Sequence, residues 1–218
     1  MRSQFEKQLS ELNDALIEMG ETVKKAIADA DKALFKQDTA LARKIMEEDV
    51  RIDGQEKEIE SLCLRLLLQQ HPVAGDLRFV AAALKVTTDL ERIGDHAADI
   101  SEYAIALSGQ KYIKELVDIP KMAKATAKMA SESIEAFVRK DIEAAKKVIA
   151  DDEEVDVLFK KVKADLTRLI KKNADNCDQA ADLLMIAKYF ERIGDHATNI
   201  AEWLIFLLTG THKDSRIF

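Results

Sequence analysis

The sequence predicts an all-α protein made of two tandem three-helix bundles that are related by an internal repeat. The main observation is that Glu91 to Ala97 recurs without change at Glu191 to Ala197, and such a duplication indicates two supersecondary units built alike. The second observation is the composition of the 218 residues, which include only seven Gly and two Pro. Ala, Leu, Lys and Glu dominate instead, and these residues favour helices over strands.

The first predicted unit covers residues 1–110 and contains three helices. Apolar residues return at helical spacing between residues 4 and 35, which predicts the first helix. Asp38 is placed to cap a second helix ending near residue 70, because its carboxylate can accept from the unpaired amides of the first turn. His71-Pro72 is expected to stop that helix, since proline has no backbone N–H, and a third helix follows over 75–108.

The second predicted unit covers residues 115–218 and repeats this order. Residues 109–120 form the predicted boundary loop, and Pro120 suits the first turn of the helix that follows. Helical spacing then predicts three more helices over 122–139, 141–172 and 179–208.

Charge and composition exclude several classes of protein. The formal charge of −7 argues against a nucleic-acid partner, because such proteins gather Lys and Arg to neutralise phosphates. Cys63 and Cys177 lack the spacing of a disulfide framework or a zinc site. The longest apolar run, residues 203–208, is far shorter than the ~20 residues that span a bilayer, and no apolar leader region precedes the first helix. We therefore expect a cytoplasmic protein.

Acidic residues follow the repeat closely. Each residue of a helix advances ~100°, so Glu91, Asp95 and Asp99 share one side of the third predicted helix. Asp49 and Asp53 have the same spacing on the second helix. The second unit carries the matching residues Asp152, Asp156, Glu191 and Asp195.

These acidic stripes have two interpretations, which are solvated helix faces and a metal site. Consecutive helices joined by a short turn are antiparallel neighbours, so the acids of the second and third helices of each unit can converge on one groove. Carboxylates that converge on one groove repel one another, and a bound cation would offset this repulsion. Ligands that offer only oxygen suit hard ions such as Mg²⁺, Mn²⁺ or ferric iron. The matched spacing on four helices favours the metal site.

The remaining motif residues are less specific. His96 and His196 follow the central Asp and can reach only the edge of such a site, so capping or surface packing is favoured over ligation. Gly94 and Gly194 indicate close approach of either a neighbouring helix or a ligand. No enzyme is predicted, because the sequence shows no nucleophile beside a base and no Gly-rich phosphate loop.

The sequence resembles the PhoU family of phosphate-signalling proteins over nearly its whole length. The resemblance rests on the duplicated Glu-Arg-Ile-Gly-Asp-His-Ala, on the segment from His71 to Arg78, and on the twin Asp-x-x-x-Asp pairs. It implies two three-helix bundles whose E/D-x-x-x-D motifs hold multinuclear clusters of iron, zinc, manganese or magnesium. The implied metal ligands are Asp49, Asp53, Glu91, Asp95, Asp99, Asp152, Asp156, Glu191 and Asp195.

The second site departs from the first at two matched positions. Asn199 stands where the first copy has Asp99, and Lys188 stands where it has Thr88. Because these changes make the second site less negative, we expect it to bind fewer ions, or to bind them more weakly.

The resemblance also implies a role. Family members are cytoplasmic, often dimeric negative regulators of the phosphate-starvation response, which act between the ATPase subunit of a phosphate ABC transporter and a sensor histidine kinase. The resemblance thus implies a metal-binding adaptor in phosphate transport and homeostasis, which reaches the membrane only through these partners. Two alternatives remain, namely a metal-dependent phosphohydrolase or metal-storage protein that uses the same carboxylates, and a purely structural helical module.

The end of the sixth predicted helix is apolar all round, from Trp203 to Leu208. A helix that is apolar on every side has to be covered on more than one face. We expect the second face to pack against the other unit or a second subunit, with Trp203 and Phe206 on different faces.

Overall fold

The computed structural model describes residues 2–70, 74–212 and 215–216. It contains six long helices, and the predicted all-α class and tandem three-helix repeat are confirmed. Repeat 1 comprises α1–α3 and repeat 2 comprises α4–α6. The helices are α1 (Arg2–Lys36), α2 (Thr39–Gln70), α3 (Ala74–Ala106), α4 (Ile119–Arg139), α5 (Ile142–Lys172) and α6 (Cys177–Thr209).

Short elements complete the chain. A 3₁₀ turn, Ala174–Asn176, precedes α6, and two-residue strands β1 (Thr211–His212) and β2 (Ser215–Arg216) pair antiparallel after it. The sequence did not predict these strands. The predicted helix stop at His71-Pro72 lies outside the described residues. Within the described part of the chain, no helix combines the length and the apolar character needed to cross a bilayer.

The same turn joins the first two helices of each repeat. Gln37 and Lys140 both adopt left-handed backbone conformations, with φ of 54° and 56°. The next residues, Asp38 and Asp141, donate their backbone N–H to Ala33 O and Ala136 O at 2.9 and 3.0 Å, which satisfies carbonyls at the end of the preceding helix.

Each of these aspartates also caps the helix that follows. Asp38 Oδ1 accepts from the Leu41 N–H at 3.0 Å, and Asp141 Oδ1 accepts from the Glu143 and Ala144 N–H groups. These bonds satisfy amides that the first turn leaves without a partner. The duplication therefore extends to individual hydrogen bonds.

The helices pack so that α2 and α5 lie on the outer flanks. Among the six long helices that the structure describes, α2 contacts only α1 and α3, and α5 contacts only α4 and α6. The repeats meet through α1 against α4 and α3 against α6. Phe79 and Phe137 stack across this junction with ring centroids 5.8 Å apart. Buried apolar residues from all six helices form one continuous core, so the two repeats are parts of one folded body.

The segment between the repeats, residues 107–118, is held by specific hydrogen bonds. The Tyr112 hydroxyl donates to Leu34 O of α1 at 2.6 Å. The Ile113 N–H donates to Gln179 Oε1 of α6 at 2.6 Å, and Gln179 Nε2 donates to Lys111 O at 3.3 Å. Because Gln179 is buried, the inter-repeat segment is fixed to the first turn of α6.

The prediction that Trp203 and Phe206 lie on different faces of the last helix is wrong. Their rings meet edge to face with centroids 5.6 Å apart, because residues three apart on a helix are neighbours. The helix as a whole contacts α3 of the other repeat as well as α4 and α5, and Leu204, Phe206 and Leu207 at its end are buried. Packing of the second face of this end against the other repeat or a second subunit stays a prediction.

Replacing Gln179 with Ala should lower the stability of the whole protein. The change leaves the part-buried Ile113 N–H without its acceptor, which costs about 1 kcal/mol, or roughly 2–4 °C in the midpoint of thermal unfolding for a protein of this size. Lys111→Ala is the matched control, because Lys111 contributes only its backbone carbonyl to Gln179. Equal midpoints for Q179A and K111A would show that the segment is not held through Gln179.

Candidate metal centre

The acidic groove of repeat 1 lies between α2 and α3, which approach closely at Gly94. A Cβ added at Gly94 would lie 2.7 Å from Ile52 Cδ1 and 3.3 Å from Asp49 Oδ1. Of the two explanations for this glycine, the neighbouring helix is therefore the correct one. In repeat 2 a Cβ on Gly194 would lie 3.0 Å from Asp152 Oδ1 and 3.5 Å from Val155 Cγ1. Each motif glycine thus makes room for the first acid of the adjacent helix.

Three carboxylates of repeat 1 come together in this groove. Asp49 and Asp53 of α2 and Asp95 of α3 each offer one oxygen, and these oxygens lie within 4.8 Å of one another. Within the described residues this is the one group of three or more His, Cys, Asp or Glu side chains that meets that distance. The predicted convergence of acids from two helices is therefore observed.

The environment of Asp49 shows the cost of this arrangement. Burial, together with the neighbouring carboxylates of Asp95, Asp53 and Asp99, raises the pKa of Asp49 to about 6. Its Oδ1 is buried and accepts no hydrogen bond from the described residues. A buried carboxylate oxygen without a donor is energetically unfavourable, so this atom is suited to receive a ligand.

Glu91 and Asp99, the other predicted ligands of repeat 1, border this trio. Burial raises the pKa of Glu91, followed by the charge of Asp95, while Arg92 lowers it. Arg92 pairs with both acids, at 3.4 Å from Glu91 and 3.1 Å from Asp95. Asp99 Oδ2 lies 3.3 Å from His96 Nδ1, so it turns partly away from the groove.

Repeat 2 places its four predicted ligands around the corresponding groove of α5 and α6. Burial, together with the charges of Asp195, Asp156 and Glu191, raises the pKa of Asp152 to about 6. Asp156 pairs with Lys160 at 3.2 Å, and Glu191 pairs with Lys188. No trio from repeat 2 meets the distance that Asp49, Asp53 and Asp95 meet among the described residues.

The motif histidines lie at the contact between the repeats. The rings of His96 and His196 are 5.5 Å apart, across the junction of α3 and α6. His196 Nδ1 lies 2.8 Å from Asp89 Oδ1, whereas the His96 ring faces Tyr189 at 5.4 Å. Asp89 and Tyr189 occupy the same place in the two copies, so the junction is pseudo-symmetric. Burial lowers the pKa of His96, which opposes its protonation.

Sequence reasoning missed this role for the histidines and for Asp89. The sequence did contain one signal for this role. Each histidine lies ~100° further round its helix than the central Asp, so it faces a different neighbouring helix. The junction also explains Asn199, whose Nδ2 donates to Asp89 Oδ1 at 3.2 Å. An aspartate at position 199 would face Asp89 with a like charge. Asn199 is therefore explained by the junction rather than by the groove.

The fold and the groove define a duplicated helical-bundle protein with one acidic groove per repeat. Comparison with known proteins gives the family, because the PhoU domain matches twice, at residues 16–104 and 119–204. A protein of Clostridium acetobutylicum named phosphate-specific transport system accessory protein PhoU homolog is 38% identical over 214 residues, which cover 98% of each chain. The present chain belongs to the PhoU family.

Solved structures agree with this assignment. The crystal structure of PhoU from Pseudomonas aeruginosa matches with a TM-score of 0.91 and 33% identity, over 95% of this chain and 100% of that one. The phosphate transport system regulatory protein PhoU from Streptococcus pneumoniae matches with a TM-score of 0.89 and 29% identity, over 97% of this chain and 100% of that one.

The raised pKa values of Asp49 and Asp152, both about 6, predict a pH dependence of the metal-free protein. Aspartates of an unfolded chain titrate near pH 4, so between about pH 4 and 6 the native state binds more protons than the unfolded state. Protonation of the two aspartates therefore stabilises the native state fully below pH ~4, and this stabilisation is lost as the pH rises through ~6. We therefore expect the unfolding midpoint to fall between pH 5 and 7. The fall should be only a few degrees, because solvent screens the charges of these partly exposed carboxylates.

The control for this pH series is the double variant Asp49→Asn, Asp152→Asn in the presence of a chelator. It should flatten the fall of the midpoint, because the neutral amides do not titrate. A slope equal to that of the unmodified protein would assign the pH dependence to other groups.

Proposed function

We propose that the protein is a metal-binding regulatory accessory of phosphate transport, with its principal metal site in the groove of repeat 1. The observation that carries the proposal is the convergence of Asp49, Asp53 and Asp95 oxygens within 4.8 Å. Family membership gives the physiological context, since the relatives are named for phosphate transport.

The residues of repeat 1 fit a metal ion. The donor set consists of carboxylate oxygens, which hard cations prefer, and the buried Asp49 Oδ1 lacks a hydrogen-bond donor among the described residues. Asp49, Asp53 and Asp95 would hold the ion, with Glu91 and Asp99 at the border of the site. A bound cation would neutralise the clustered charges and tie α2 to α3. We propose manganese, magnesium, iron or zinc as the candidates.

The regulatory part of the proposal concerns partners. A protein of this family would act in the cytoplasm as a homodimer, between the ATPase subunit of a phosphate ABC transporter and a sensor histidine kinase. Its contact with the membrane would then pass through those partners. The names of the relatives, accessory and regulatory protein of phosphate transport, support this role over an enzymatic one.

Metal binding is tested with Asp49→Asn, which should remove most of the bound metal and raise the thermal midpoint of the metal-free protein by roughly 2–4 °C, because one repelling charge is lost. Metal content is measured by elemental analysis after dialysis against Mn²⁺ or Mg²⁺. Glu47→Gln is the control, since Glu47 lies exposed on the same helix outside the groove. Unchanged metal content in D49N would contradict the site.

The regulatory role is tested in cells and with purified partners. In a strain lacking its own copy, the unmodified protein should silence the phosphate-starvation response in phosphate-rich medium, and D49N should silence it less while E47Q matches the unmodified protein. Co-purification with the transporter ATPase subunit tests the adaptor role. Turnover of phosphate esters by the Mn²⁺-loaded protein would favour the phosphohydrolase alternative.

A further inference from the structure

The grooves of the two repeats differ at two matched positions, which contact each other in repeat 2. On the third helix of each repeat, Thr88 of repeat 1 corresponds to Lys188 of repeat 2. On the second helix, Glu56 of repeat 1 corresponds to Phe159 of repeat 2. An acid and a hydroxyl in one groove are thus replaced by an aromatic ring and an ammonium in the other.

Lys188 is held in the groove of repeat 2 by two contacts. Its Nζ forms an ion pair with Glu191 Oε2 and lies 5.4 Å from the centroid of the Phe159 ring on α5. The ammonium also lies near enough to Asp195 to oppose the rise in the pKa of that carboxyl. Cation–π contact and ion pairing together favour this position of the side chain over one in solvent.

Repeat 1 has no equivalent of this ammonium among its described residues. Its Thr88 hydroxyl donates to Leu84 O of its own helix. The nearest cation is Arg92, which is 55% exposed where it pairs with Glu91 and Asp95. Repeat 2 keeps that arginine as Arg192, so Lys188 is an additional positive charge.

An ammonium among carboxylates does electrostatically what a bound cation does, but it is tethered to the chain. A metal ion entering repeat 2 would have to compete with Lys188 for Glu191 and with Lys160 for Asp156. Among the described residues, repeat 2 also has no trio of oxygens as close together as that of repeat 1. With Glu191 and Asp156 paired to lysines as well, the residues of repeat 2 do not fit a multinuclear metal cluster.

We infer that Lys188 is the resident cation of repeat 2 and takes the place of a metal ion there, so that the protein binds metal at repeat 1 alone. The part of this inference that concerns repeat 1 rests on the proposed function. The part that concerns repeat 2 stands on the position of Lys188 between Glu191 and Phe159.

The decisive variant is Lys188→Thr, which gives repeat 2 the residue of repeat 1. In the presence of a chelator, K188T should unfold at a lower temperature than the unmodified protein, because the carboxylates lose their counter-charge. Added Mn²⁺ should restore the midpoint, and bound Mn²⁺ per chain should rise about twofold as a second oxygen-lined site becomes available.

Three further variants separate charge from packing. Lys188→Met keeps an unbranched side chain over Phe159 without the charge, so it should gain Mn²⁺ as K188T does. Thr88→Lys in repeat 1 should have the opposite effect, with less bound Mn²⁺ and a higher midpoint in chelator. Lys124→Thr, at an exposed position on α4, controls for loss of one positive charge and should leave both measurements unchanged.

The outcomes distinguish the two proposals. If K188T and K188M neither lose stability in chelator nor gain Mn²⁺, the inference is overturned, whatever repeat 1 binds. Substantial Mn²⁺ bound to the unmodified protein and lost on Asp152→Asn would also overturn it. If the unmodified protein binds no Mn²⁺ but K188T is destabilised in chelator and recovers with Mn²⁺, the site of repeat 1 fails while Lys188 keeps its assigned role.

Discussion

Carboxylate oxygens held within 4.8 Å of one another repel, and packing elsewhere has to keep their helices together. Two unit charges 4 Å apart repel by about 1 kcal/mol in water and about 4 kcal/mol near a protein surface. Burying one large aliphatic side chain contributes about 1.5–3 kcal/mol. Ile52 and Ile59 of α2 and Ile93 of α3 are all buried on the two helices that form the groove, so a few such residues suffice to hold the acids in place. Gly94 allows this packing because the absence of a Cβ leaves room for Ile52.

The groove of repeat 1 and the junction between the repeats depend on consecutive residues of one helix. Asp95 turns to α2, and His96, one step further round α3, turns to α6. Because one continuous core includes both repeats, α3 cannot be repositioned at the groove without also moving at the junction. This shared helix distinguishes the protein from a pair of independent bundles joined by a linker.

Local sequence signals predicted most of the fold. The helix ends lie close to their predicted positions because capping residues such as Asp38 and Asp141 and the apolar spacing are short-range features. The acidic groove could be predicted because the acids are four residues apart on consecutive helices, and consecutive helices joined by a short turn are neighbours. The metal-ligand set itself remains a prediction.

The junction could not be predicted in the same way. α3 and α6 each contact three other helices, so the spacing of their apolar residues does not identify which side faces which neighbour. The contact of Asp89 with His196 joins residues far apart in the chain and has no local signature. Lys188 was visible as a departure from the repeat, but its contact with Phe159 depends on the register of α5 against α6. The separation expected for Trp203 and Phe206 was an error about helical spacing, which the sequence alone could have corrected.

The unequal partners of the two histidines also limit how the repeats can associate. Two copies of repeat 1 joined through α3 in this geometry would set Asp89 of each copy against Asp99 of the other, since Asp99 occupies the place of Asn199. Two copies of repeat 2 would leave each His196 opposite a tyrosine and without its carboxylate partner. At this junction each half of the chain is thus complementary to the other half and poorly complementary to a second copy of itself.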